Sequence, residues 1–272
     1  MLYDIQMDGF STIYYINSAD RLAGTTENFT YELNIPSGSS YDSVSVIQAN
    51  IPVSYYLVQS GFNTFTLQEG VTSVTVTIPV GNYSASSFAT VVPPLLNSAS
   101  PNHWTYIMTL PNSFTQVSTG KYTFTVSGNS SQPSFIFTDN VNELFGFRAN
   151  STATFVGNQL TSENVLKFIL EDTLLLHSDI CDNGDNSILQ EIFSNNSQSF
   201  SNITFQNPDI ECYSRRLRTN ESSVYSFSIT NEYGRGINLN GLNVVFTIVL
   251  FRRQNFTDIF KKYIKYQLTN EK

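Results

Sequence analysis

Leu242-Asn-Val-Val-Phe-Thr-Ile-Val-Leu-Phe251 is a nearly unbroken apolar run, and its reading decides the fold. Its β-branched and aromatic residues favour a strand over a helix. A strand so apolar at successive positions must be buried on both faces, at the centre of a sheet and not at its edge. Working outward, Glu27-Asn-Phe-Thr-Tyr-Glu-Leu-Asn-Ile35 alternates, with Phe29, Tyr31, Leu33 and Ile35 on one face. That period of two marks a half-buried strand. Ser11–Ser18, Val44–Ile51, Asn63–Gln68 and Ser73–Val80 read as further strands, closed by turn signals at Pro36, Gly61, Gly70 and Gly81.

Composition agrees. Charged residues make up only 13% of the 272-residue chain, while Phe (21) and Tyr (15) supply nearly all its aromatic content. Hydrophobic residues at 40% exclude a disordered chain, and the length allows an ample core without staples. A net charge of −8 excludes a chain-wide nucleic-acid surface. No apolar run approaches the roughly 20 residues of a spanning helix, so no membrane insertion is expected. The start, MLYDIQMDGF, lacks the basic and apolar regions of a secretory leader. Cys181 and Cys212 are then expected to be buried thiols and not a bridge. Eight N-x-[ST] sequons carry no weight without such a leader, because this Asn content alone yields roughly six by chance.

The character changes at Gly81. Ser84–Ser98 has helical spacing at Phe88, Val91, Val92 and Leu95, with Pro93-Pro94 expected to break or kink it early. Trp104–Leu110, Tyr122–Val126 and Ser134–Thr138 read as a small meander. From Val165 the pattern returns to long strands: Val165–His177, Asn202–Gln206, Ile210–Leu217, Val224–Thr230 and Leu242–Arg252, with Ile188–Phe193 as one or two helical turns. The expectation is an all-β, single jelly-roll sandwich with a small mixed α/β insertion and a C-terminal amphipathic helix.

Candidates for chemistry are few. His177, Asp179 and Cys181 lie close in sequence but read as a strand end more readily than as a nucleophile and its base. Asp179–Ser187 resembles a calcium loop, yet Cys181 and Gln190 would stand where such a loop needs oxygen ligands and a bidentate Glu. Arg215-Arg216-x-Arg218 reads as a solvated strand end, and Gly234-Arg-Gly236 as a turn. No catalytic or metal-binding set and no cofactor site emerges, so a non-enzymatic role is expected.

Several strings, taken in order, resemble the penton or minor capsid proteins of virophages, polinton-like viruses and some giant DNA viruses. Tyr14-Tyr-Ile-Asn-Ser-Ala-Asp-Arg21 is similar to their I-D-S-x-D-R opening, and Phe29–Pro36 to the strand that follows. Ile51-Pro-Val-Ser-Tyr-Tyr-Leu57, Asn63-Thr-Phe-Thr-Leu67, Gly81-Asn-Tyr-Ser84 and Leu144-Phe-Gly-Phe147 resemble later motifs. Phe227–Ile237 with Leu239–Leu242 resembles the last hairpin. The resemblance implies a structural protein of the virion, assembled in the host cytoplasm. It would be a homopentamer at the five-fold vertices, among major capsid protein trimers and other minor capsid proteins. The rival reading is a carbohydrate-binding or host-attachment β-sandwich, with a glycosidase third.

The expected division is an N-terminal arm (1–24), a jelly roll (25–80 and 160–252), an inserted module (81–159) on its outer end, and a tail (253–272). Around the tail, Arg252, Arg253, Lys261, Lys262, Lys265 and Lys272 outnumber Asp258 and Glu271, a surplus of four positive charges in an acidic chain. Phe256, Ile259, Phe260, Tyr263, Ile264 and Leu268 fall on one helical stripe, with the lysines off it. A basic amphipathic helix of this kind suits an anchor on neighbouring capsomers or the packaged genome. The alternative is a helix folded back on its own jelly roll.

Overall fold

The computed structural model describes residues 11–36, 39–110, 119–138, 141–171, 173–181, 187–194, 200–218, 223–253 and 264. The chain runs through β1 (Ser11–Asn17), a short turn of 3-10 helix, β2 (Ala23–Gly24), β3 (Asn28–Glu32) and β4 (Ser43–Pro52). There follow β5 (Thr64–Glu69), β6 (Thr72–Thr77), α1 (Ala85–Ala99), β7 (Thr105–Thr109), β8 (Thr123–Ser127) and β9 (Ser134–Phe137). Next are α2 (Asn142–Phe145), β10 (Ser151–Thr154), β11 (Gln159–Thr161), β12 (Thr173–Ser178) and β13 (Ile188–Phe193). The last are β14 (Asn202–Gln206), β15 (Arg215–Arg216), β16 (Val224–Asn231) and β17 (Val245–Phe251).

Two compact units result. One takes the chain up to Ser54 and from Glu171 onward; the other is Tyr55–Leu170. In the first unit one sheet has the order β1-β17-β4-β14, and the other β13-β12-β16-β3 with β2 at its edge. Count its eight principal strands along the chain as β1, β3, β4, β12, β13, β14, β16 and β17. The first sheet then reads first, eighth, third, sixth, and the second reads second, seventh, fourth, fifth. That double Greek-key order is the jelly roll. The second unit is inserted in a single connection, between the third and fourth strands.

β17 holds the centre of the first sheet, between β1 (Ile16↔Phe246) and β4 (Phe246↔Ala49). Phe246, Ile248 and Leu250 point into the sandwich, where the Phe246 ring meets Phe227 of β16 at 5.2 Å. Phe227 in turn lies 5.7 Å from Phe29 of β3, so three rings join the two sheets. Thr247, Val249 and Phe251, on the opposite face, are buried as well. Phe246–Phe251 of the apolar run thus does what its pattern requires, whereas Leu242 precedes the strand and, like Val245, is exposed.

The inserted unit has two sheets, β10-β9-β5-β6 and β11-β8-β7. Phe88, Val92 and Leu96 of α1 are fully buried in its core. A capping box starts α1: Ser87 N donates to Ser84 Oγ (3.1 Å) and Ser84 N to Ser87 Oγ (2.9 Å). The core is unusually aromatic, with Phe145 at 4.7 Å from Phe65, 5.1 Å from Phe88 and 5.3 Å from Phe137. Gly146 ends α2 in the left-handed conformation (φ 74°). A Cβ there would approach the Asn164 carbonyl oxygen to 2.6 Å, so only glycine lets the chain turn against that backbone.

Several expectations need correction. Thr64–Glu69 and Thr72–Thr77 do not join the jelly roll: Thr66 pairs with Ile136 and Leu67 with Phe135, which ties both hairpin strands to the inserted unit. The insertion is therefore much larger than 81–159, and its boundaries fall at 54/55 and 170/171. The N-terminal strand expected in an arm is a full member of the first sheet. Ile188–Phe193 is a strand, because Thr173↔Phe193 pairing offers its apolar side chains a buried ladder. Arg215–Arg216 is all that remains of the strand expected over Ile210–Leu217, and Val165–Leu170 is irregular. α1 passes through Pro93-Pro94, since its buried face offsets the two missing N–H donors. Ser134–Phe137 pairs with β5 and β10, not β8, so the expected meander is divided between two sheets.

Candidate functional site

His177, Asp179 and Cys181, weighed as a nucleophile and its base but read as a strand end, are all hydrogen-bonded within the jelly-roll unit. His177 Nε2 stands 2.9 Å from Thr230 Oγ1. Asp179 Oδ1 accepts the Ser226 N–H at 2.8 Å, and Cys181 Sγ donates to the Ser178 carbonyl at 3.3 Å. Cys181 is buried as expected, but Cys212 is exposed, and both are thiols. Residues 182–186 of the Asp179–Ser187 stretch, whose pattern fails as a calcium loop, lie outside the described residues. Among the described residues no group of three or more His, Cys, Asp or Glu side chains is arranged to hold a metal. None of their helices is long and apolar enough to cross a membrane.

No local pattern marks the most enclosed acid among the described residues. Glu69, at the end of β5, is 1% exposed and accepts three hydrogen bonds: Ser100 Oγ (2.7 Å), Asn102 N (3.0 Å) and Tyr106 Oη (2.7 Å). Burial, with the Glu69 bond and charge, pushes the Tyr106 hydroxyl well above its ordinary range, and burial alone does so for Tyr122. All three donors belong to the chain that leaves α1 for β7. Glu69 therefore fixes that connection.

Of the tail residues, Arg252 and Arg253 are described. Arg253 closes β17: its N–H donates to Asp42 Oδ1 (2.9 Å), its Nε to Ser214 Oγ (3.1 Å), and its Nη2 to the Glu211 carbonyl (3.0 Å). It thus belongs to the jelly roll, not to a tail. Ile264 is helical and exposed. Phe256, Ile259, Phe260, Lys261, Lys262, Tyr263 and Lys265 lie outside the described residues. The register Arg216↔Ser43↔Phe251 brings the Arg215–Arg218 cluster to the strand end that Arg252 and Arg253 leave, although the two lie far apart in sequence.

The jelly-roll unit presents its edge strands on the two long sides of the sandwich. On one side β1 is an edge strand, linked to the β3 side by Tyr14 Oη donating to the Asn34 carbonyl (3.0 Å). It exposes Ile13 and Tyr15, the latter 73% accessible. On the other side β13 and β14 are the edges, with Phe193 (59%) and Phe200 (80%) exposed. Sequence periodicity placed Phe193 in a helix and so missed its position.

No family model and no curated protein matches the chain. Among solved structures the chain is similar to the mavirus penton protein, with a TM-score of 0.44 and 8% identity, over 88% of this chain and 99% of that one. The assignment of the jelly roll rests on the strand order itself.

Proposed function

We propose that the chain is a minor capsid protein of a DNA virus, the penton that closes each five-fold vertex as a homopentamer, located in the virion beside major capsid protein trimers. A jelly roll alone hosts many functions. The observation that carries the reading is that the ordered capsid-like motifs coincide with features this fold depends on. Tyr14–Arg21 forms the edge strand and its turn, Ile51–Leu57 spans the passage into the inserted unit, Leu144–Phe147 contains the obligatory glycine of α2, and Phe227–Leu242 leads into β17.

A ring needs heterologous contacts, one side of each subunit against a different side of the next. The two sides of the sandwich meet that need, since each exposes large apolar side chains on an edge strand. The expected result is a five-membered ring of the full chain at high concentration, seen by native mass spectrometry and in class averages. Tyr15→Glu leaves the melting temperature unchanged but abolishes the ring, because it places a charge in the contact without touching the core. A strictly monomeric chain that is also absent from virions overturns the reading.

The basic segment after β17 serves, in this proposal, as the inward anchor on neighbouring capsomers or genome. Phe260→Asp with Ile264→Asp then leaves the isolated protein's melting temperature unchanged and lowers its incorporation into particles. A drop of several degrees in the isolated protein shows instead that the segment packs on its own subunit.

A further inference from the structure

Among the described residues of the inserted unit, taken alone, every Lys, every Arg and every exposed carboxylate lies at one end. The chain enters and leaves this unit at the end where Val58 bridges Gly81, Leu166 N bonds the Gly120 carbonyl and Asn164 N bonds the Gly146 carbonyl. Lys121, Glu143, Arg148, Glu163 and Lys167 are all there, tied by Lys121 Nζ to the Glu163 carbonyl (2.6 Å), Arg148–Glu163 (3.6 Å) and Lys167–Glu143 (3.4 Å). The opposite end gathers four connections: the β5–β6 turn, residues 101–104 before β7, residues 128–133 between β8 and β9, and the β10–β11 turn. Among the described residues its only carboxylate is the enclosed Glu69, and it has no Lys or Arg.

That far end is also organised. Val156 and Gln159 bridge a two-residue turn in which Gly157 (φ 60°) and Asn158 (φ 64°) are both left-handed, the tight hairpin form that such residues favour. The turn holds the Asn158 side chain, whose Oδ1 accepts from both Asn129 Nδ2 (2.8 Å) and Gln132 Nε2 (2.9 Å), while Gln132 Oε1 accepts the Asn158 N–H (3.1 Å). Asn129 Nδ2 spends its other hydrogen on the Ser131 carbonyl (2.9 Å). No group among the described residues takes the Asn158 Nδ2 hydrogens, the Asn129 Oδ1 or the second Gln132 N–H. Ser131 also adjoins the β5–β6 turn, its Oγ 3.8 Å from where a Cβ on Gly70 would lie. Val71 in that turn is fully exposed, and Val156, at the start of the Gly157-Asn158 turn, is 80% exposed.

We infer that this far end is a binding site for an uncharged, hydroxyl-rich ligand, a neutral oligosaccharide. Adjacent amide donors and acceptors match vicinal hydroxyl pairs, each of which both donates and accepts. An amide trio already fixed by its own bonds loses little freedom on binding. Two exposed valines suit the C–H face of a sugar ring, and a surface whose one exposed ionisable side chain among the described residues is His103 carries little ionic desolvation cost against a neutral ligand. This inference stands apart from the capsid proposal, since it concerns the inserted unit of a single chain.

The test uses the full chain on an array of neutral and sialylated oligosaccharides, followed by titration of its Asn and Gln side-chain amide resonances. The variants are Asn158→Gly, which keeps the left-handed turn but removes the amide, and Val71→Glu at a fully exposed position. Binding of a neutral glycan that shifts the Asn129, Gln132 and Asn158 amides, and weakens about tenfold in each variant at unchanged melting temperature, supports the site. Absence of any shift with neutral glycans at about 10 mM, a preference for sialylated ones, or binding that survives both variants overturns it. Retention of a protein partner alone, sensitive to the same variants, overturns it too.

Discussion

Phe145→Ala is expected to lower the stability of the inserted unit by about 3–5 kcal/mol, the usual cost of truncating a buried Phe. Its ring sits among Phe65, Phe88, Phe124 and Phe137 at centroid distances of 4.7, 5.1, 5.8 and 5.3 Å. These rings come from β5, α1, β8 and β9, so one side chain joins both sheets and the helix. The cavity cannot close without moving all four elements, which places the cost at the upper end of the range. For a unit of roughly 100 residues each kcal/mol is worth about 4 °C or more, so its transition should fall by over 10 °C in calorimetry. A shift of only one or two degrees would remove Phe145 from the centre of this core.

The second large effect distinguishes two excisions. Replacing residues 55–170 by a Gly/Ser linker removes one compact unit and leaves all eight jelly-roll strands, so a soluble protein with a single cooperative transition is expected. Replacing only 81–159 removes α1, α2, β7 to β10 and the first residue of β11 but leaves β5 and β6. Phe65, Leu67, Val76 and Ile78, all fully buried now, would then face water, at about 1.5–3 kcal/mol for each large side chain. That shorter excision should give an aggregating or molten chain without near-UV dichroism. The reverse outcome would return the β5–β6 hairpin to the jelly roll.

Much of the jelly roll was legible because burial leaves a local period. Leu242–Phe251 reads as a central strand, since apolar residues at successive positions demand cover on both faces. Asn28–Glu32 reads as a strand with one buried face because Phe29 and Tyr31 alternate with polar neighbours. Of the candidate sites, Arg215–Arg218 and Arg252–Arg253 could each be seen, but not that one register brings them together. Glu69 could not be seen at all: at the end of an alternating strand it looks like any solvated acid before a Gly turn, and its three donors come from thirty or more residues downstream.

Local residue order by itself determined the all-β class, the positions of most strands and turns, and the capping box that starts α1, because each depends on neighbours within a few residues. Tertiary structure alone decided which sheet each strand joins. Thr64–Thr77 and Ile188–Phe193 have periods compatible with more than one partner or conformation, and the choice is made by hydrogen-bond ladders to Ser134–Phe137 and Thr173–Ser178. It also decided that a double proline stays within a helix, and that every Lys, Arg and exposed carboxylate described in the inserted unit collects at one end. These outcomes are sums of contacts between distant segments, and no stretch of sequence carries its partner's half of the energy.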